Sequence, residues 1–289
     1  MKKNYLIQAA VSAFLSGSLM AQTIVTVNGT KIDSGEIDRQ VRILQQQNGQ
    51  IQDSPELRNE LAQYAVTRLL VAQEARRLKL DQQQEFKDAL ASAQKAAKEQ
   101  GADKKAGFRQ QWEDYQTDLL NQAFVVNVLR SRPVTDEEIK KAYEQGRARY
   151  QGSSEVRLGE ILTPKKEDAE QAVKELKAKK PFAEVARRYS ADPAAKQNGG
   201  INPDFDNLKD LQDSAPPIYA AIKDLKKGQF TNPISGNGVY GVFYIQDKRP
   251  VKLPSLEEAK NGIAQNIREG RVDQAIGELY KKASIVPAK

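Results

Sequence analysis

Two side chains that often carry enzymatic chemistry near neutral pH are missing outright: the 289 residues include no histidine and no cysteine. Their absence removes thiolate nucleophiles, disulfide staples, histidine-based triads and the usual zinc ligand sets. Carboxylates, hydroxyls, cations and aromatic rings remain. The sharpest spacing among these is Phe108, Trp112, Tyr115, Leu119, Ala123 and Val126, which recur at the three- and four-residue steps of one helix face. Such a stripe has two readings. It can pack as core against a second stripe, Leu57, Leu61, Tyr64, Ala65, Leu69, Ala72 and Leu78. Alternatively, Trp112 and Tyr115 line a greasy groove for peptides, because rigid aromatics give contact area at small entropic cost.

The chain opens with a basic head, Met1-Lys-Lys-Asn-Tyr5, then an apolar run from Leu6 to Met20 and a small residue, Ala21. That order predicts a secretory signal over residues 1–21, cut after Ala21. Gln8, Ser12 and Gly17 break the run too early for a mature membrane span, and no other integral span is expected. Gln22, not cysteine, follows the cut, so no lipid anchor is expected there. Loss of Lys2 and Lys3 lowers the formal charge from +7 to +5. No basic stripe is dense enough to predict a nucleic-acid partner. The ~270 residues left can bury a core without staples.

The elements that position these side chains can be read in order. Thr23–Val27 alternates like a strand, Asn28-Gly29 turns it back through Thr30–Ile32, and Ser34 is expected to cap a helix carrying Ile37, Val41 and Leu44. Asp53-Ser-Pro55 starts a second helix, and residues 81–133 read as further helices broken at Gly101. Thr135…Glu138 forms a capping box for a helix to Tyr150, and Gln151-Gly-Ser-Ser154 marks a domain boundary. Glu155–Thr163 then reads as a buried strand. Thr163-Pro164 begins a helix with Ala169, Ala172, Val173 and Leu176 on one face. Phe182, Val185, Ala186 and Tyr189 give a second short amphipathic helix before the turn-rich loop to Gly199-Gly200. A closing strand runs from Gly238 to Pro250. Ser255…Glu258 is a second capping box, opening a helix with Ile263, Ile267, Val272, Ile276 and Leu279. Gly262, Gly270 and Gly277 each cost that helix ~1 kcal/mol against alanine, so it should depend on docking to the N-terminal helices.

Five pieces in that order carry a resemblance: Val156-Arg-Leu-Gly-Glu-Ile-Leu162, Phe182-Ala-Glu-Val-Ala186, Tyr189-Ser190…Gly199-Gly200, Leu225-Lys-Lys-Gly228 and the last strand into Asp247-Lys-Arg-Pro250. Together they resemble the parvulin-type peptidyl-prolyl isomerase domain across nearly all of 155–250. The N-terminal strand–Asn-Gly–helix pattern, with Leu61…Leu78, is similar to that of SurA-like secreted folding factors. The resemblance implies an α+β chain. A mostly helical chaperone lobe is built from residues 22–150 and the C-terminal helix of 251–289, and a parvulin-like domain at 151–250 has a small antiparallel sheet surrounded by helices.

The resemblance also assigns positions. Parvulins generally carry histidines in the first and last strands, linked to an acidic residue or cysteine; here these positions fall on Glu160, Gly241 and Asp192. The proline pocket's methionine and aromatic positions fall on Ser214 and Ile218, and a usual leucine on Asn202, while Leu208 or Leu211 could refill the hollow. Glu160 and Asp192 are thus the catalytic candidates. Phe205, Ile218, Tyr240 and Phe243 in this domain, with Trp112 and Tyr115 outside it, are the substrate-binding candidates. The two carboxyls can share a proton if they meet; otherwise Glu160 faces solvent or Arg157 and Asp192 caps its loop. No cofactor or metal is expected.

Two functions follow from the resemblance, and a third stands beside them without it. The first is a periplasmic folding factor that binds unfolded or nascent exported, including outer-membrane, proteins through helical lobes, with a parvulin-like domain whose active site is degenerate. The second is a prolyl isomerase working through an altered site without histidine. The third is a plainer scaffold that dimerises through its helices, as a homodimer, and has no client role.

Overall fold

The computed structural model describes residues 22–288, so the predicted signal segment lies outside the described residues. Two compact units divide the described residues, one taking in 22–135 together with 264–288, the other Asp136–Ile263.

In the first unit, β1 (Thr23–Val27) and β2 (Thr30–Asp33) form a hairpin. Asn28 and Gly29 both take positive φ, 48° and 83°, as a two-residue turn between twisted strands requires. Asp33, not Ser34, caps α1 (Ser34–Gln47), its carboxylate accepting from the Glu36 N–H. Ser34 accepts from the Gln22 N–H instead. Ser54 caps α2 (Pro55–Arg77), with proline at the first turn. Then come α3 (Gln84–Glu99) and α4 (Phe108–Ser131).

The chain's end returns to this unit. The later part of α11 (Leu256–Lys282) packs Val272, Ile276 and Leu279 against Val71, Ala72, Leu120, Phe124 and Val128. β7 (Ile285–Pro287), which the sequence reading did not anticipate, adds to β1 and completes a sheet of order β2-β1-β7. Asn28 fastens it: its backbone N–H donates to the Ser284 carbonyl at 2.8 Å, and its side-chain oxygen accepts from the Ser284 N–H at 2.8 Å.

The stripe expected along α4 is rotated. Leu120, Phe124 and Val128 are the buried residues, whereas Val126 is exposed. The second half of α4 is apolar on nearly every side, so periodicity alone does not select its buried face.

The second unit begins with α5 (Asp136–Tyr150), expected on the other side of the boundary. Side-chain ties hold it here. Arg149 pairs with Asp210 and Asp213, Tyr150 donates to Asp210, Tyr143 donates to the Pro254 carbonyl, and Lys260 pairs with Asp136. The expected box at Ser255–Glu258 is formed, each residue accepting from the other's N–H.

The centre of this unit is the antiparallel ladder of β3 (Ser154–Thr163) with β6 (Val239–Pro250). Two short strands, β4 (Asp206–Asn207) and β5 (Ile234–Gly236), flank it in the order β4-β3-β6-β5. On one face, α6 (Lys166–Lys177) and α7 (Phe182–Tyr189) bury Ala169, Val173, Leu176, Phe182 and Val185 on Ile161 and Val242. On the other, α9 (Leu208–Ser214) and α10 (Pro216–Ile222) set Leu208 and Ile222 against Val156, Leu158, Phe243 and Ile245. Helix α6 starts at Lys166, two residues past Pro164, because the buried Thr163 hydroxyl first accepts the Lys165 N–H.

Glu175 on α6 is only 8 % exposed but has three donors: Arg188 at 2.8 Å, and Lys180 and the Tyr189 hydroxyl at 3.1 Å. Burial pushes its carboxyl up; Lys180, Tyr189 and Arg188 outweigh that and hold it below the ordinary value.

The loop after α8 (Ala194–Asn198) closes on β3 through Gly200, whose carbonyl accepts the Glu160 N–H at 2.7 Å. Gly200 has φ +74°, and a Cβ there would sit 2.6 Å from the Glu160 carbonyl oxygen. Gly238, in the β5–β6 turn, has φ +79° but open space around it. Gly200→Ala should therefore cost more than Gly238→Ala. The latter meets only the left-handed backbone penalty of roughly 1–2 kcal/mol. Hydrogen exchange of the β3 amides checks this; equal losses of protection would contradict it.

Candidate active site

Residues facing each other across an antiparallel ladder share a face. Glu160 lies opposite Phe243 and Leu162 opposite Gly241, so both join the face of Leu158 and Ile245 that α9 and α10 cover. This is the face on which the resemblance places the proline hollow, and its apolar floor is packed by the half-buried Leu211, Ile218 and Tyr219. Phe243 is 5 % exposed, and its ring leans on Gly241: a Cβ at 241 would lie 2.8 Å from Phe243 Cε2. A larger side chain at 241 therefore requires Phe243 to move.

Glu160 is half-buried on this face, and among the described residues its carboxyl has no hydrogen-bond or ion-pair partner. Burial pushes it above the ordinary carboxylate value, and Asp206 and then Asp192 push it the same way. Asp206 is raised as well, by burial first and by Asp204 second. Asp192 is exposed and shapes its own loop: its Oδ1 accepts the Ala194 N–H at 2.9 Å, while its N–H donates to Ser190 Oγ. Glu160 and Asp192 thus interact by charge, with no hydrogen bond between them among the described residues.

Asp206 escaped the sequence reading. It stands on a two-residue strand opposite Val156, too short to leave a periodic pattern. Its only signal was the acidic alternation in Asp204-Phe-Asp206.

The other named residues fall in three places. Ile218 and Phe243 come together at the hollow. Tyr240 lies on the opposite face, packed with Tyr189, Ile201 and Tyr244 on the α6–α7 side. Phe205 is held by guanidiniums, with Arg249 3.8 Å and Arg157 4.6 Å from its ring centre. Arg249 also pairs with Glu155. Ser214 turns its hydroxyl back to the Asp210 carbonyl, and Asn202 accepts from the Asp204 N–H; neither fills the hollow, whereas Leu208 is buried in it. Trp112 and Tyr115 belong to the first unit. Phe108, Trp112 and Tyr115 form a stacked ladder with centroids 5.8 and 5.6 Å apart, and Tyr115 is 37 % exposed. None of the three enters a buried core cluster.

This sheet, with helices on both faces and a Gly-Gly loop closing on its first central strand, agrees with the family comparison. Residues 134–261 match the model of the PPIC-type PPIase domain. The chain carries a parvulin-type domain. It is similar over 278 residues, at 25 % identity, to a probable parvulin-type peptidyl-prolyl cis-trans isomerase of Bordetella pertussis, covering 96 % of this chain and 97 % of that one. A foldase protein PrsA of Clostridium botulinum is 26 % identical over 187 residues, 63 % of this chain and 55 % of that protein. Among solved structures, a SurA-like chaperone of Campylobacter jejuni is 22 % identical, covers 93 % of this chain and all of that one, and has a TM-score of 0.35. In this parvulin-type domain the hollow carries carboxylates and apolar side chains, with no imidazole because the chain has none.

A carboxyl raised in the fold binds protons more readily than in the unfolded chain, so its ionisation destabilises the fold as pH rises. Glu160→Gln should raise stability at neutral pH. The gain should shrink as pH falls through the raised value toward the ordinary 4.5, where wild-type Glu160 is protonated too. Urea unfolding of both proteins at several pH values measures this; a gain independent of pH would contradict it.

Proposed function

We propose that this protein is an exported folding factor, acting in the periplasm. It binds unfolded exported chains, outer-membrane proteins among them, through its helical unit, and its parvulin-type domain adds a surface for proline-containing segments. The observation that carries the proposal is the partly exposed ladder Phe108–Trp112–Tyr115 outside the core clusters of its unit. Stacked rings that are partly exposed offer apolar area that is already ordered, so binding a flexible chain costs little further entropy on the protein's side.

The parvulin-type domain is proposed to be a weak isomerase at neutral pH. The X–Pro barrier is about 18–20 kcal/mol, and lowering it means favouring the twisted bond over the planar ones. The bond offers acceptors only, since its tertiary nitrogen carries no hydrogen. Ionised carboxylates are acceptors too, and therefore do not serve it. The apolar floor of Phe243, Leu208 and Ile218 supports retained grip on a proline ring without the donors that would speed its isomerisation.

The test is a paired assay on one preparation at neutral pH. Stoichiometric protein should suppress aggregation of a denatured client while giving little rate gain on a proline-containing tetrapeptide. Trp112→Ala or Tyr115→Ala should weaken suppression several-fold, on the order of 1 kcal/mol per ring, with the unfolding midpoint nearly unchanged. Fast, saturable isomerisation at neutral pH would favour the enzyme reading, and no binding to any denatured client would favour a scaffold.

A further inference from the structure

The charges around Glu160 can be accounted for element by element. From β4 comes Asp206, with Asp204 just before it; from the loop ahead of α8 comes Asp192. Across the ladder, β6 offers only Gly241 and Phe243 at this level. On α9, Asp210 and Asp213 are occupied by Arg149. Farther along the same face, the Lys248 ammonium donates to the Lys223 and Leu225 carbonyls. Arg157 and Arg249 are spent on the Phe205 ring, on the side of the sheet away from Phe243. Glu160 therefore stands on an apolar floor with carboxylates and no paired cation, although the same unit gives Glu175 three donors.

We infer that Glu160 serves this hollow as a protonated carboxyl, donating its O–H to a bound X–Pro bond, so that the parvulin-type domain is switched on by acid and off by the ionisation of Glu160. The inference rests on the reading that the hollow accepts proline segments. Its chemistry follows from acceptor counting. An X–Pro bond presents a carbonyl oxygen and a nitrogen without hydrogen, and twisting the bond localises the lone pair on that nitrogen. A donor at the nitrogen favours the twisted form, whereas one at the carbonyl oxygen would reinforce the planar resonance form, and among carboxyl states only the protonated one donates. The proton stays on Glu160 throughout, and no bond is made or broken.

Asp206 is a positioning residue in this scheme. The two guanidiniums hold Phe205 on one side of the sheet. Its chain neighbour Asp206, opposite Val156, is thereby placed on the Glu160 side. There its negative charge makes ionisation of Glu160 less favourable.

The experiment is the pH dependence of catalysed isomerisation of a proline-containing tetrapeptide by the full chain, with circular dichroism confirming the fold at each pH. The wild-type rate should rise at least tenfold from neutral to acid along a single titration. Glu160→Gln, whose amide N–H donates at any pH, should show a flat profile at or above the wild-type neutral rate, and Glu160→Ala should be low throughout. Asp206→Asn should move the wild-type titration to lower pH. A pH-independent wild-type rate, a dead Glu160→Gln, an unmoved midpoint in Asp206→Asn, or no catalysis at any pH would each overturn the inference. In every such case, aggregation suppression by the same preparation still reports separately on the folding-factor reading.

Discussion

The second unit depends on the register of one long strand pair. The β3–β6 ladder runs from Ser154 opposite Pro250 to Thr163 opposite Tyr240, and its alternation decides which side chains meet α6 and α7 and which meet α9 and α10. A slip of one residue would exchange the faces, placing Glu160 among Ile161's partners and stranding Phe243. Two features hold the register. An irregularity between Arg157 and Leu158 resets the pairing near one end of the ladder, and the Gly200 loop closes on Glu160 in the middle. The backbone that carries the candidate acid is thus fixed by hydrogen bonds that a side chain at position 200 would disrupt.

Within that frame, two glutamates show how surroundings set the behaviour of one chemical group. Glu175 is nearly buried yet held in its charged form, because an arginine, a lysine and a phenol converge on it and tie α6 to α7. Glu160 is less buried, yet burial raises it first and the charged groups acting on it, two further carboxylates, push the same way. Opposite shifts follow from the sign of the neighbours more than from depth. A structural ion pair accounts for Glu175 in full. Nothing of that kind accounts for Glu160, an unpaired acid beside an apolar cluster.

Much of this was legible in the chain. Asn28-Gly29 between alternating segments gave the hairpin, and the spacing of Ala169, Ala172, Val173 and Leu176 gave the buried face of α6. Ser255 and Glu258 gave a helix start at the right place. The features that escaped are those set by distant partners. Asp33 and Ser34 are both competent caps, and only the pairing of Ser34 with Gln22 decides between them. Helix α5 carries no local mark of allegiance; Asp210, Asp213 and Pro254, far along the chain, assign it. Strands β4 and β7 are too short for a period-two signal, so the position of Asp206 was hidden with them. The candidate acid was legible only by resemblance, and of its electrostatic setting Asp192 was legible in the same way while Asp206 was not.

The first unit raises a different constraint, because it is completed by both ends of the chain. β7 pairs with β1, and Val272, Ile276 and Leu279 enter a core that α2 and α4 cannot close by themselves. The glycines of α11 weaken it as an isolated helix, so its order depends on that docking. The fold thus joins the chain's ends by long-range contacts and leaves the 136–263 unit as an insertion with its own two-faced core. An insertion that buries its own apolar surface can vary its site without unsettling the host unit, since the two sets of core residues are separate. A change of side chain at position 160 is one that such an arrangement tolerates. Its cost falls on the inserted sheet, where Glu160 stands, and leaves untouched the core of the helices that carry the aromatic ladder.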